Sequence, residues 1–160
     1  MTNDTQKTTI QLDGPYLDIL SLRQSGLCCS QILVKLVLRD LGRENPDLVR
    51  AMAALCFGGG YSGGTCGVLT GAACALSLCL ENTPDKERSA PLLPLLLGEL
   101  SDWFAIQTER SYGGMRCEEI LTASPDKRAC TLLLISTLEK LQSMLATTGS
   151  TVKEHTNGHP

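Results

Sequence analysis

The sequence has few aromatic residues, little net charge and no long apolar run. Aromatic residues make up 4% of its 160 residues, whereas leucine, alanine, glycine and cysteine are abundant. Strands prefer aromatic and β-branched residues, so this balance suits helices that pack through small residues better than it suits a β-sandwich. We therefore predict an all-α fold, a compact bundle of about six helices with a glycine-rich loop.

The charge and the hydropathy argue against two kinds of partner. A formal net charge of -3 provides no basic field that would attract nucleic acid or an anionic membrane surface. The longest apolar run, residues 66–80, is shorter than the ~20 residues that a membrane-spanning helix needs. We expect neither nucleic acid nor a membrane as a partner, and the oligomeric state stays open.

Common catalytic and metal-binding motifs are also missing. The sequence contains neither HExxH nor C-x-x-C, and both histidines, His155 and His159, lie in a polar C-terminal segment. This leaves no signature of a zinc hydrolase or a zinc finger. The N-terminal segment has no basic stretch followed by an apolar run, so we expect no secretory signal and a cytoplasmic location. In that reducing compartment, eight cysteines favour free thiols, metal ligands or transient redox pairs over a fixed disulfide framework.

Apolar periodicity predicts one helical domain with polar ends. Residues 1–13 are predicted to be a flexible leader, residues 14–146 a single helical domain, and residues 147–160 a disordered tail.

Prolines mark two of the predicted helix starts. Asn45 followed by Pro46 is typical of an N-cap and a first helical residue. Proline fits the first turn of a helix but not its interior, so Pro91 and Pro94 predict a helix over about 92–110.

The most unusual composition lies in residues 56–80, which have six glycines between Gly58 and Gly67. This stretch lacks the lysine and the residue order of a phosphate-binding loop. We predict that it is a backbone turn that brings Cys66 to the start of a helix, where N–H groups and the helix dipole favour a thiolate. A four-residue repeat of small residues predicts close packing of another helix along Gly63, Gly67, Gly71 and Ala75.

Three cysteines begin predicted helices: Cys29, Cys66 and Cys117. Free cysteine is also often a small buried apolar residue, and this description is expected to fit the remaining apolar positions, Cys56, Cys74 and Cys79. The choice between Cys29 and its neighbour Cys28 stays open, because adjacent residues at a helix start point in different directions.

Four pieces of the sequence occur in a recognisable order: GLCCSQ at 26–31, FGGGYSGGTCGVLTGA at 57–72, YGGMRCEEIL at 112–121, and Cys130. Together they resemble the C-GCAxxG-C-C family of redox-active proteins. The middle piece departs from GCAxxG, because Thr65 precedes Cys66 and Gly71 lies one residue further on than the motif implies. The resemblance implies a small cytoplasmic protein with a redox function, and it places the family's cysteines at Cys29, Cys66, Cys117 and Cys130.

Two classes of function follow from these observations. In the first, the four cysteines converge and either perform thiol–disulfide exchange or redox sensing with a redox partner protein, or ligate a metal ion or an iron–sulfur cluster. Gly64 and Gly67, which lie close to Cys66, are the candidate cofactor-binding residues. In the second, the protein is a non-enzymatic interaction protein whose cysteines are packing residues and whose glycine stripe binds a partner. Sulfurs too far apart for a disulfide or a shared metal would favour the second class.

Overall fold

The computed structural model describes residues 14–81 and 86–148. Within these ranges the chain forms seven α-helices, one short 3-10 helix and no strand, which confirms the all-α prediction. The helices are α1 (Gly14–Gln24), α2 (Cys29–Asp40), α3 (Pro46–Ala51), the 3-10 helix (Met52–Leu55), α4 (Gly67–Glu81), α5 (Lys86–Tyr112), α6 (Cys117–Ala123) and α7 (Arg128–Thr147). The predicted leader, and the predicted tail beyond residue 148 with both histidines, lie outside the described residues.

The start of α3 shows how local sequence sets a helix boundary. The side chain of Asn45 accepts a hydrogen bond from the N–H of Leu48 at 3.0 Å, and Pro46 is the first helical residue. This is the predicted N-cap arrangement. The α-helix ends at Ala51, where the chain tightens into the 3-10 helix.

The predicted start of α5 near residue 92 is wrong, because the helix begins at Lys86 and contains Pro91 and Pro94. A proline inside a helix leaves the carbonyl four residues earlier without its usual donor. Both prolines are exposed, so water can reach this side of the helix and hydrate the carbonyls.

Helices α2 and α4 approach each other closely at a glycine. A Cβ atom added at Gly71 would lie 2.9 Å from Cα of Ser30, closer than real side-chain contacts allow. At Gly67 an added Cβ would lie 3.2 Å from the carbonyl oxygen of Leu55. The small-residue repeat therefore packs inside this chain, although its first member, Gly63, lies before the helix begins.

The core is organised around α4, which packs against α2, α5 and α7. Val68, Ala72 and Leu76 on α4 are fully buried, and each large apolar side chain buried in this way contributes roughly 1.5–3 kcal/mol. Because α2 and α7 share α4 as a neighbour, residues near their starts can meet. Among the described residues, no helix combines the length and the apolar character needed to cross a bilayer.

Candidate functional site

A short antiparallel backbone pairing joins the starts of α4 and α6. The N–H of Cys66 donates to the carbonyl oxygen of Met115 at 3.0 Å, and the N–H of Cys117 donates to that of Gly64 at 2.6 Å. These bonds hold Cys66, one residue before α4, beside Cys117, the first residue of α6.

Glycines permit this pairing because the segment folds back on itself. Gly58 has a φ of 85°, a conformation that other residues rarely adopt. A Cβ added at Gly64 would lie 2.7 Å from the carbonyl oxygen of Gly58. Gly64 therefore has a packing role that requires glycine, and Gly67 has one that favours a small residue. Their cofactor-binding role stays a prediction.

The four cysteines indicated by the family resemblance line one cavity of about 90 Å³. Each lies within or just before the first turn of a different helix: Cys29 begins α2, Cys66 precedes α4, Cys117 begins α6 and Cys130 is the third residue of α7. Leu27, Ile120 and Leu121 supply apolar wall. The fold therefore brings all four together, while their chemical roles stay predictions.

Cys29 and Cys130 both line this cavity, and their side chains interact. The thiol of Cys29 hydrogen-bonds to the sulfur of Cys130, which is the largest cause that lowers the pKa of Cys130 to about 7. Burial opposes this shift, while the positive charges of Arg23 and Lys127 add to it. The same hydrogen bond, followed by burial and the charge on Cys130, raises the pKa of Cys29 well above its usual value. The pair is therefore arranged as a thiolate at Cys130 with a thiol donor at Cys29.

The expectation that Cys66 is the favoured thiolate is wrong. Its sulfur does receive hydrogen bonds from the backbone N–H groups of Val68 and Leu69, which lower the pKa. Burial is the larger effect and raises the pKa of Cys66 to about 12. Burial is also the main cause that raises the pKa of Cys117. A helix start alone is therefore insufficient to ionise a cysteine this deeply buried.

Arg23 is a cavity residue that the sequence did not indicate. Its Nη1 atom donates to Oγ1 of Thr131 at 2.8 Å, which fixes the guanidinium beside the residue that follows Cys130. Its Nη2 atom is buried and has no hydrogen-bond partner within the described part of the chain. Arg23 and Thr131 are 108 residues apart in sequence, and no local pattern reveals such a contact.

Cys28 and Cys56 form a disulfide, with Cα atoms 5.8 Å apart. Cys56 is therefore not merely a packing residue, contrary to the expectation from its apolar context. The hydroxyl of Ser30 lies 3.2 Å from the sulfur of Cys28 and 3.9 Å from that of Cys56. Both adjacent cysteines line the cavity, but Cys28 is disulfide-bonded while Cys29 remains a free thiol.

The metal alternative does not fit the residues that are described. Within residues 14–81 and 86–148, no group of three or more histidine, cysteine, aspartate or glutamate side chains is placed to hold a metal ion. A structural zinc ion usually takes four such ligands, and an iron–sulfur cluster is commonly held by four cysteines. We therefore derive no step through a metal or a cluster.

The fold and the cavity define an all-α protein with clustered cysteines at helix starts. The chain belongs to the family described as "Putative redox-active protein (C_GCAxxG_C_C)", whose model matches residues 27–144. The match includes all four cavity cysteines of the resemblance, and it confirms that resemblance. Neither a curated protein nor a solved structure matched the chain.

Proposed function

We propose that this protein is a thiol–disulfide redox protein whose working pair is Cys29 and Cys130. The observation that supports the proposal most directly is the hydrogen bond from the Cys29 thiol to the Cys130 sulfur inside the shared cavity. A disulfide needs two cysteines whose sulfurs can meet, and an ionised sulfur is the reactive form.

In the reducing direction, the thiolate of a dithiol partner protein attacks the Cys29 sulfur of a Cys29–Cys130 disulfide. The S–S bond breaks and Cys130 leaves as a thiolate, which is favoured because a thiol of lower pKa is the better leaving group. The second thiol of the partner then displaces Cys29, which takes up a proton. The partner departs as a disulfide, so two electrons have moved to the working pair.

Exposure supports the same order of attack. Cys29 is half-buried, whereas Cys130 is only 7% exposed. A partner therefore reaches Cys29 more easily, while the less accessible Cys130 serves as the leaving group. In the oxidising direction the Cys130 thiolate is the nucleophile, and it loses its charge when it reacts. The hydrogen bond to that thiolate and its charge both raise the pKa of Cys29, so the pKa of Cys29 then falls.

Cys66 and Cys117 are the secondary members of the proposed site. Both interact electrostatically with Cys130. Both are protonated at neutral pH because burial raises the pKa of each thiol. We assign them the role of reserve thiols, which would exchange only after the first pair is oxidised.

A cytoplasmic location suits this cycle. Six of the described cysteines are free, and a reducing compartment keeps thiols in that state. The Cys28–Cys56 disulfide would there be a bond that the same reductants can break.

The interaction-protein alternative has less support. Its proposed docking surface, the small-residue stripe, is covered by α2 at Gly71 and by the 3-10 helix at Gly67. Only a partner that displaced part of this packing could use that surface.

The test is to map disulfides after equilibrating the reduced protein in buffers of oxidised and reduced dithiothreitol. Free thiols would be trapped by alkylation and the peptides identified by mass spectrometry. We expect a reversible Cys29–Cys130 disulfide, its loss in Cys130→Ser, and its retention in the control Cys74→Ser, because Cys74 lies outside the cavity. If no reversible disulfide involves either Cys29 or Cys130, the proposal is wrong.

A further inference from the structure

The wall of the cavity contains a disulfide as well as free thiols. Cys28, which is bonded to Cys56, lines the same cavity as Cys29 and Cys130. Cys56 does not line the cavity and is only 2% exposed. A thiolate in the cavity therefore meets this disulfide from the Cys28 side, and Cys56 is the sulfur that leaves.

Among the cavity thiols, Cys130 is the one suited to attack Cys28. The pKa of Cys130 is lowered to about 7, whereas burial raises the pKa values of Cys66 and Cys117. Cys29 is a poor attacker, because the Cα atoms of adjacent residues are about 3.8 Å apart and disulfides usually need at least about 4.4 Å. Cys29 instead hydrogen-bonds to Cys130, so the attacking sulfur is already paired with the residue that follows Cys28.

Ser30 is placed to assist the sulfur that leaves. It is completely buried, and its hydroxyl donates to the carbonyl oxygen of Met52 at 2.9 Å. The same hydroxyl oxygen lies 3.2 Å from the Cys28 sulfur and 3.9 Å from the Cys56 sulfur. Because a hydroxyl hydrogen can rotate, Ser30 can turn its donor from the carbonyl to a thiolate that forms at Cys56.

We propose that the Cys28–Cys56 disulfide is a second redox couple, which exchanges electrons with the working pair through a mixed disulfide between Cys28 and Cys130. This inference rests on the proposed function, and it adds the group inside the chain with which the working pair reacts. It also gives each of the adjacent cysteines a function, because Cys29 belongs to the working pair and Cys28 to the second couple. With both couples oxidised, one chain could oxidise two dithiol partners.

The exchange balances without a further reactant. The Cys130 thiolate attacks the Cys28 sulfur, the Cys28–Cys56 bond breaks, and Cys56 leaves as a thiolate. The Cys29 thiol then loses a proton and Cys56 gains one. The Cys29 thiolate attacks the Cys130 sulfur, the Cys28–Cys130 bond breaks, and Cys28 leaves as a thiolate. One disulfide, one thiol and one thiolate are present before and after, and two electrons have moved from the working pair to the second couple.

The first experiment starts from the full-length chain with only the Cys28–Cys56 disulfide and follows its reduction by dithiothreitol, using acid quenching, alkylation and peptide mapping. A tethered thiol acts at an effective concentration of about 1 mM, so with dithiothreitol at about 0.1 mM we expect Cys130→Ser to release Cys56 about 10-fold more slowly. Cys130→Ala should behave in the same way. Cys74→Ser, which changes a thiol outside the cavity, should match the unmodified chain.

The second experiment traps the intermediate. Cys29→Ser keeps a hydroxyl donor beside Cys130 but removes the thiol that resolves the mixed disulfide. In buffer without added thiol, this variant should accumulate a peptide pair that links Cys28 to Cys130, with Cys56 recovered as a free thiol.

Serine variants in the Cys29→Ser chain test the assistance to the leaving sulfur. Ser30→Ala should slow formation of the mixed disulfide about 10-fold, the effect of one hydrogen bond to a charged group. Ser77→Ala is the matched control, because that hydroxyl donates to the carbonyl oxygen of Ala73 at 3.0 Å and Ser77 does not line the cavity.

Each outcome decides the inference. If both Cys130 variants release Cys56 at the unmodified rate, the exchange inference fails, whereas a reversible Cys29–Cys130 disulfide in the dithiothreitol buffers leaves the proposed function standing. If no reversible disulfide involves Cys29 or Cys130 in those buffers, both fail. A trapped link from Cys130 to Cys56 would show that Cys28 is not the sulfur attacked. If Ser30→Ala matches Ser77→Ala, the assignment of Ser30 is wrong.

Discussion

Cys130 at the start of α7 and Cys79 near the end of α4 are both buried, but the pKa values of their thiols differ. Cys130 is 7% exposed and Cys79 is 5% exposed. Burial, with a smaller effect from the charge of Asp40, raises the pKa of Cys79 to about 11. The Cys29 thiol and two nearby cations instead lower the pKa of Cys130 to about 7. Neighbouring donors and charges, not depth, therefore decide which buried thiol is reactive.

The largest expected difference between these sites is in alkylation at neutral pH. With pKa values of about 7 and about 11, about half of Cys130 and roughly one in ten thousand Cys79 side chains are thiolates at pH 7. We expect iodoacetamide to modify Cys130 on the order of a thousandfold faster, measured by isotope-coded peptide mass spectrometry on the reduced, folded protein.

Removing the Cys29 donor should break this contrast. Cys29→Ala deletes the largest cause of the low pKa of Cys130, so the pH midpoint for Cys130 alkylation should rise. Cys74→Ala is the control, because it removes a thiol outside the cavity. Similar rates for Cys130 and Cys79 at pH 7 in the unmodified chain would contradict the contrast itself.

The second difference is a covalent link that, among the described residues, lies at the cavity and not near Cys79. The Cys28–Cys56 disulfide closes a loop with a sequence separation of 28. Constraining the unfolded chain over a loop of this length stabilises the fold by about 3.5 kcal/mol. Urea unfolding with and without a reductant should show a loss of this order, and a Cys28→Ala, Cys56→Ala double variant should lose this part of the response to the reductant. A double variant as stable as the oxidised chain would show that the bond adds nothing.

The third difference appears in the pH dependence of stability. Cys130 has a pKa below its ordinary value of 9.0, so between about pH 7 and pH 9 the unfolded chain binds the extra proton and stability rises with pH. Cys79 has a raised pKa, so between about pH 9 and pH 11 the folded chain keeps the proton and stability falls. A shift of this size corresponds to about 2 to 3 kcal/mol.

Chemical denaturation from pH 7 to pH 11 measures both slopes. Cys79→Ser should reduce the alkaline fall and leave the rise below pH 9, while Cys130→Ser should remove that rise. A profile that is flat over the whole range in the unmodified chain would contradict both pKa shifts.

These contrasts also show what the sequence could predict. Local signals identified most helices, including the N-cap at Asn45, and the four-residue spacing identified the close packing at Gly71. The family resemblance, not periodicity, selected Cys130. Helix α7 begins after an N-cap at Lys127, which has a φ of 62°. A left-handed residue other than glycine has no reliable sequence signature.

Long-range contacts explain the rest of what was missed. The disulfide partner of Cys28 and the position of Arg23 beside Cys130 depend on how α1, α2 and α7 pack, which no local pattern encodes. The lack of long-range information also explains why the sequence pattern favoured Cys66 as the thiolate. Helix-start geometry was visible in the sequence, whereas the depth of burial and the neighbouring thiol were not.

The smallest expected effect separates the two cations near Cys130. Lys127 is exposed, and its ammonium group lies 5.4 Å from the ring centroid of Phe57, so solvent and salt screen its charge more than that of Arg23. Lys127→Gln should slow alkylation of Cys130 at pH 7 by about twofold at low ionic strength, and the effect should vanish near 1 M salt, where the screening length is about 3 Å. Lys127→Arg, which keeps the charge, should react like the unmodified chain. A loss of tenfold or more that persists in high salt would mean that Lys127 acts on the thiolate through direct contact, and that the cavity has two fixed donors instead of one.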